Sequence, residues 1–133
     1  MATMQVELVS AERRLWSGEA EMVVARTTEG EIGILPGHAP MLGELGSGVL
    51  RVIQPGGEEV VAAIHGGFLS VAASGVSVLA DIAELGADID LQRAQAAYDR
   101  AVASISGTDD SAALEELHKA QARLKAAGAP VPA

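Results

Sequence analysis

Cysteine is absent from this chain of 133 residues. No disulfide framework, thiolate nucleophile or thiolate metal site can therefore be built, which suits a reducing compartment. Aromatic residues are almost as scarce: one Trp, one Tyr and one Phe provide no platform on which bases or sugars could stack. Basic residues number 9 against 18 acids, for a formal net charge of −9. A surface of that sign repels phosphate backbones and anionic lipid, so nucleic acid is not an expected partner. No apolar run approaches the roughly 20 residues that cross a bilayer, and no basic segment followed by an apolar stretch opens the chain. The expectation is a soluble, unprocessed protein without direct membrane insertion.

The common catalytic constellations are missing too. His38, His65 and His118 stand apart from one another, and no HExxH or similar ligand spacing exists, which leaves no basis for a metal site. His38, between Gly37 and Ala39-Pro40, reads as a loop histidine, and His65 as one in or beside a strand. The serines lack a nucleophile elbow, there is no GxxxxGK[ST] loop, and Gly30-Glu31-Ile32-Gly33 lacks the spacing and context of a dinucleotide fingerprint. Glu58-Glu59 and Asp109-Asp110 fall at turn signals, where solvation or helix capping explains them better than acid–base chemistry. The chain reads as a non-enzyme that requires no cofactor.

What is present divides into two parts with different periods. From Met4 to about Leu85, short apolar runs alternate with polar residues, as in Val6 and Leu8 or Met22 and Val24. That period of two, broken at Gln54-Pro55-Gly56-Gly57 and Ala73-Ser74-Gly75, predicts the antiparallel strands of a sandwich or barrel over residues 1–86. Most of the 15 glycines lie here. Residues 87–133 are alanine-rich and helical in pattern. Leu91, Ala94, Tyr98, Ala101 or Val102 and Ile105 share one face behind a cap at Asp88 or Asp90. After an interruption at Gly107-Thr108-Asp109-Asp110, Leu114, Leu117, Gln121 and Leu124 share another, with Asp110 or Ser111 as cap and Gly128 and Pro130 as stop. Two such helices make a hairpin too thinly packed to be held by more than a few large side chains, and so able to let go. The tail is also where the basic residues gather: after Glu116 no acid appears, while His118, Lys119, Arg123 and Lys125 do. A helix C-terminus favours cations through its dipole, and an acidic partner would favour them as well.

One family accounts for the stretches that chemistry leaves unexplained. They are Gly30-Glu31-Ile32-Gly33-Ile34-Leu35-Pro36-Gly37-His38-Ala39-Pro40 and Gly66-Gly67-Phe68-Leu69-Ser70-Val71. With them go Met4 to Ser10, Leu15-Trp16-Ser17-Gly18, Val78-Leu79-Ala80-Asp81 and Ile89-Asp90-Leu91-Gln92-Arg93-Ala94. In order and spacing these resemble the ε subunit of bacterial F-type ATP synthases over nearly the whole chain. The resemblance implies an all-β sandwich of about ten antiparallel strands in two sheets, then an α-helical hairpin. It implies a non-catalytic part of the rotating central stalk, peripheral at the cytoplasmic face of the bacterial cell membrane. Its sandwich would dock on the γ subunit and the c-ring, and its helices would rise toward the β and α subunits of the catalytic head to inhibit ATP hydrolysis.

Site residues implied by the resemblance follow position by position. Glu29, Gly30, Glu31, Ile32 and Gly33 match the c-ring-facing loop, with Glu31 and Ile32 expected at its tip. Ser10, His38, Met41 and Leu42 match the γ-facing surface. Lys119, Arg123 and Lys125 would meet the β subunit. Ile89-Asp90-x-x-Arg93-Ala94 is similar to the ATP-binding signature of some family members, which implies regulatory ATP held by Glu84, Ile89, Asp90, Arg93, Ala94, Lys119 and Arg123. The same residues also admit a plainer reading, in which Asp90 caps the helix, Arg93 is solvated and Glu115–Lys119 is an i,i+4 pair. Two other functions stay open: a nucleotide sensor, and a β-sandwich adaptor or small enzyme unrelated to rotary motors.

Overall fold

The computed structural model describes residues 2–105 and 111–128. Eight strands come first: β1 (Met4–Ser10), β2 (Arg14–Ala20), β3 (Met22–Thr27), β4 (Gly30–Ile34), β5 (Met41–Glu44), β6 (Ser47–Ile53), β7 (Glu59–Ala72) and β8 (Gly75–Leu85). A single 3₁₀ turn, Gly86–Asp88, leads to α1 (Leu91–Ile105) and α2 (Ser111–Ala126). The interruption at Gly107 to Asp110, the acidic pair Asp109-Asp110 and the stop at Pro130 lie outside the described residues.

The pairing order is β2-β1-β8-β7-β6-β3-β4, with β5 added to β7. The two long strands turn this ladder into two layers. The first arm of β7 pairs with β6 from Glu59 to His65, and its second arm pairs with β5 from Phe68 to Val71. Between the arms stand Gly66 and Gly67, with φ of 79° and 119°, values that disfavour any side chain. A Cβ on Gly67 would also lie 2.1 Å from the carbonyl oxygen of Leu79, so the bend there requires glycine. β8 follows β7 around the bend and offers its first arm to β1. Each layer then holds five strand arms, β4-β3-β6-β7-β8 and β5-β7-β8-β1-β2, which is how eight continuous strands meet the expectation of about ten. The apolar runs on either side of Gly66-Gly67 are two arms of one strand. One pairing departs from the antiparallel expectation: β1 runs parallel to β8, the last strand of the chain, which lies between β1 and β7.

Alternation does the rest. Val6, Leu8, Val23, Ala25, Ile34, Leu50, Val52, Ala62, Ile64, Leu69, Val71, Val76 and Val78 point inward from both layers and form one buried core. Residues of opposite parity on the first arm of β7, Val61, Ala63 and His65, face outward, and α2 covers that outer face through Ala122 and Ala126. α2 therefore buries two sides, packing also on α1, which presents Ala94 and Ala101. The expected stripe on α2 is only partly right. Leu124 is fully buried, but Leu114 is exposed, and alanines 113, 120, 122 and 126 do most of the contact. Small side chains let the helix lie close to the sheet. At the junction, a Cβ on Gly86 would lie 2.3 Å from the carbonyl oxygen of Ala126, so the end of α2 sits directly on the turn after β8. Likewise on α1, Leu91 and Val102 are exposed while Ala94 and Ala101 make the face.

Candidate functional site

A cleft of about 320 Å³ opens where the start of α1, the end of α2 and the end of β8 meet. Glu84, Asp88, Ile89, Asp90, Arg93, Ala94, Ala96, Ala97, Arg100 and Arg123 line it. The antiparallel hairpin brings Arg123, near the end of α2, over the first turns of α1. There its Nε donates to Glu84 Oε1 at 2.7 Å, a pair about one-third exposed. Asp90 is the cap of α1: its Oδ1 accepts from the backbone N–H of Arg93 at 3.1 Å, and its carbonyl oxygen from that of Ala94 at 3.0 Å. Six of the seven residues matched to an ATP-binding signature thus share one cleft. Lys119 does not join them. It lies one turn back along α2, with Nζ 3.6 Å from Glu116 in an i,i+3 pair, where Glu115 was the expected partner. Its place among the cations is taken by Arg100, two turns beyond Arg93 on the same face of α1. That i,i+7 spacing was a signal in the sequence.

The three C-terminal cations do not form one surface. Arg123 is held by Glu84 in the cleft, whereas Lys125 lines a second groove, of about 770 Å³, on the other flank of α2 with Arg26, Arg51, His118 and Gln121. Arg51 in that groove is itself paired with Glu59.

His65 lies beneath α2. It is 5% exposed, and among the described residues neither ring nitrogen has a hydrogen-bond partner. Burial first, then the Arg123 and Lys119 charges, pushes its pKa down from 6.5 to about 4, with Glu84 and Glu116 pulling the other way.

The β3–β4 hairpin corrects the expected tip. Thr28 and Glu29 form the turn, closed by Thr27 Oγ1, which donates to the carbonyl oxygen of Gly30 at 2.7 Å and accepts from the N–H of Glu29 at 3.1 Å. Glu31 is exposed, but Ile32 has the inward parity and packs against the core, so the tip is Glu29 rather than Glu31 with Ile32. The four residues matched to a γ-facing surface spread along the second layer. Met41 and Leu42 pair with Val71 and Ser70, and His38 sits in the loop after β4, near Thr3 and Gln5. Ser10 is at the far end of β1, roughly 20 Å along the strand, where its Oγ accepts from the N–H of Arg13. The outer face of that layer carries three exposed apolar side chains, Leu42 at 71%, Phe68 at 50% and Leu79 at 55%, set among the polar Glu44, Ser70, Ser77 and Glu7, and Phe68 stands directly opposite Leu79. Phe68 and Leu79 were not singled out from the sequence, although their parity opposite Leu69 and Val78 carried the signal.

A two-layer β-sandwich with a helix of a C-terminal hairpin over one outer face, and exposed apolar side chains on the other, is the class of protein that the fold defines. The family profile described as ATP synthase, Delta/Epsilon chain, beta-sandwich domain matches residues 3–86. The ATP synthase epsilon chain of Streptomyces avermitilis is 51% identical over 122 residues, covering 92% of this chain and 98% of that protein. That of Rhodococcus jostii is 51% identical over 127 residues, covering 95% and 97%. Among solved structures, a chain of the Euglena gracilis mitochondrial ATP synthase, determined as OSCP/F1/c-ring in one rotational state, superposes with a TM-score of 0.76. It is 27% identical, and the match covers 96% of this chain and 81% of that one. A chain of the Tetrahymena thermophila central stalk and c-ring, at 16% identity and a TM-score of 0.60, shares the fold. This chain belongs to the ATP synthase epsilon family, a non-catalytic central-stalk subunit of F-type ATP synthase.

Proposed function

We propose that this subunit couples rotation between the c-ring and the catalytic head while its hairpin acts as a brake on ATP hydrolysis. The observation that carries this reading is the division of the two outer faces. One is open and exposes the apolar Leu42, Phe68 and Leu79 among polar neighbours, the mixture that suits a docking surface. The other is covered by α2 mainly through Ala122 and Ala126 against Ala63, Val61 and Val49, a lid of modest strength.

The open face is assigned to γ, together with Ser10, His38, Met41 and Leu42. The β3–β4 hairpin, with Glu29 at its tip and Gly30, Glu31, Ile32 and Gly33 behind it, is assigned to the polar loops of the c-ring. Docked on the sandwich, α2 keeps Arg123 engaged with Glu84. Once released, Lys119, Arg123 and Lys125 are free to meet the acidic surface of the β subunit near the α subunit. The subunit itself stays peripheral, on the cytoplasmic side of the bacterial membrane; none of its described helices is long and apolar enough to cross one.

The test is ATP hydrolysis and proton pumping by the assembled synthase carrying either the full chain or one ending after Gly86. Faster hydrolysis with intact coupling is expected from the truncated form. Unchanged hydrolysis would remove the brake from the reading.

A second reading, nucleotide sensing, is favoured by the convergence of Glu84, Ile89, Asp90, Ala94, Arg93, Arg100 and Arg123 on one cleft at the low end of ligand-pocket sizes. ATP held there would bridge both helices and select the docked hairpin, in proportion to its differential affinity for that state. Titration of the full chain with ATP is the direct check.

A further inference from the structure

We propose that His65 is a proton-operated latch: neutral, it permits α2 to dock on the sandwich, and protonated, it drives the helix off. The geometry points to this role from three sides. His65 lies on the outward face of β7 in line with Val61 and Ala63, the surface on which α2 rests. It is buried by that helix, and among the described residues neither ring nitrogen finds a partner. A neutral imidazole pays a modest desolvation cost in such a site, but an imidazolium would need two hydrogen-bond acceptors and a counter-charge.

The counter-charge is already spoken for. The charges that act on His65 are Lys119, Arg123 and Glu116 on α2 and Glu84 on β8, while β6 places the uncharged Ser47 opposite it. Glu84 is bound to Arg123 at 2.7 Å and Glu116 to Lys119 at 3.6 Å. These four groups balance to zero, so a proton on His65 adds an unmatched positive charge between two cations. Moving α2 away removes both cations and lets water reach the ring.

The sign follows from linkage. A free imidazole takes up a proton at about 6.5, whereas the docked one resists until about 4. Docking is therefore fully supported above about pH 6.5, and that support is lost as pH falls toward about 4. Between about pH 7.5 and about pH 5.5, the docking constant is expected to fall roughly tenfold.

The experiment uses the full chain with dyes on cysteines introduced at the exposed positions Thr28 and Glu115, reading energy transfer between the sandwich and α2 across that pH interval. Trp16 fluorescence monitors the sandwich itself. The roughly tenfold loss of docking at the lower pH is expected for the unaltered His65 chain, while His65→Gln, which keeps His38 and His118, should dock equally at both. His65→Asn serves as the second variant should Gln pack poorly. Loss of docking of the same size in both variants, or no loss with His65 present, would overturn the proposal.

Discussion

Arg123 holds Glu84 and is proposed to bind a phosphate as well, and the two roles can be separated by measurement. Its ion pair with Glu84 ties α2 to the end of β8, but the pair is about one-third exposed, so screening holds its contribution to docking at about 0–1 kcal/mol. A phosphate in the cleft would receive a charge-assisted bond from the same guanidinium, of about 1.5–3 kcal/mol. Arg123→Gln and Arg100→Gln are therefore each expected to weaken ATP binding by roughly tenfold to a hundredfold in titration calorimetry. Lys119→Gln should leave it unchanged, because Lys119 does not line the cleft. Equal losses at Lys119 and Arg123 would mean that the positive potential of α2, rather than the cleft, attracts the nucleotide.

What the sequence could convey at this scale depended on whether a role was local. Asp90 as a helix cap is set by its own neighbours, and it was legible. The turn lies at Thr28-Glu29 rather than at Glu31-Ile32, because Gly30 and Gly33 advertise a bend while strand parity, which sends Ile32 to the core, decides where the tip falls. His65 as a buried residue under α2 was not legible, since its burial comes from a helix distant in the chain, at Ser111–Ala126.

The elements divide into inner and outer faces by parity, and the outer face of the second layer is the one left uncovered. Phe68 and Leu79 stand side by side at its centre, opposite Leu69 and Val78 on the core side. A charge placed there enters water in the free subunit but would be buried unpaired in a complex. Phe68→Glu is accordingly expected to lower affinity for γ by at least tenfold while leaving the thermal midpoint of the isolated subunit nearly unchanged. Co-purification with γ and a melting curve, measured on the same preparation, check both halves of the expectation. Undiminished binding would move the γ surface off this face.

Strand existence was legible from alternation, and so was the change to helical period. Continuity was not: Gly66-Gly67 reads as a break in a one-dimensional pattern, whereas in space it is a bend within β7, because β8 pairs with both arms. Neither was the parallel pairing of β1 with β8, which depends on where the chain returns. On α2, leucine spacing suggested one apolar stripe. Alanine, too small to dominate such a pattern, makes the closest contacts with Ala63 on the sheet.

As a whole, the molecule is a β-sandwich with a helical cover on one outer face. The core of the sandwich draws on all but the helices, and the patch under α2, with Ala63, Ala122 and Ala126, is a separate, smaller cluster. Loss of the second need not disturb the first. That separation is the physical basis for a switch, and the proton at His65 and the nucleotide in the cleft would bias the same docked state from opposite directions.

Because the chain has no cysteine of its own, the docked state can be trapped cleanly. The decisive measurement is ATP hydrolysis by the assembled synthase carrying Ala63→Cys with Ala122→Cys, compared between the oxidised form, with α2 fixed to the sandwich, and the reduced form. Faster hydrolysis when locked, reversed on reduction, is the expected result for a brake that must leave the sheet to act. Equal rates in the two forms, or slower hydrolysis when locked, would contradict it.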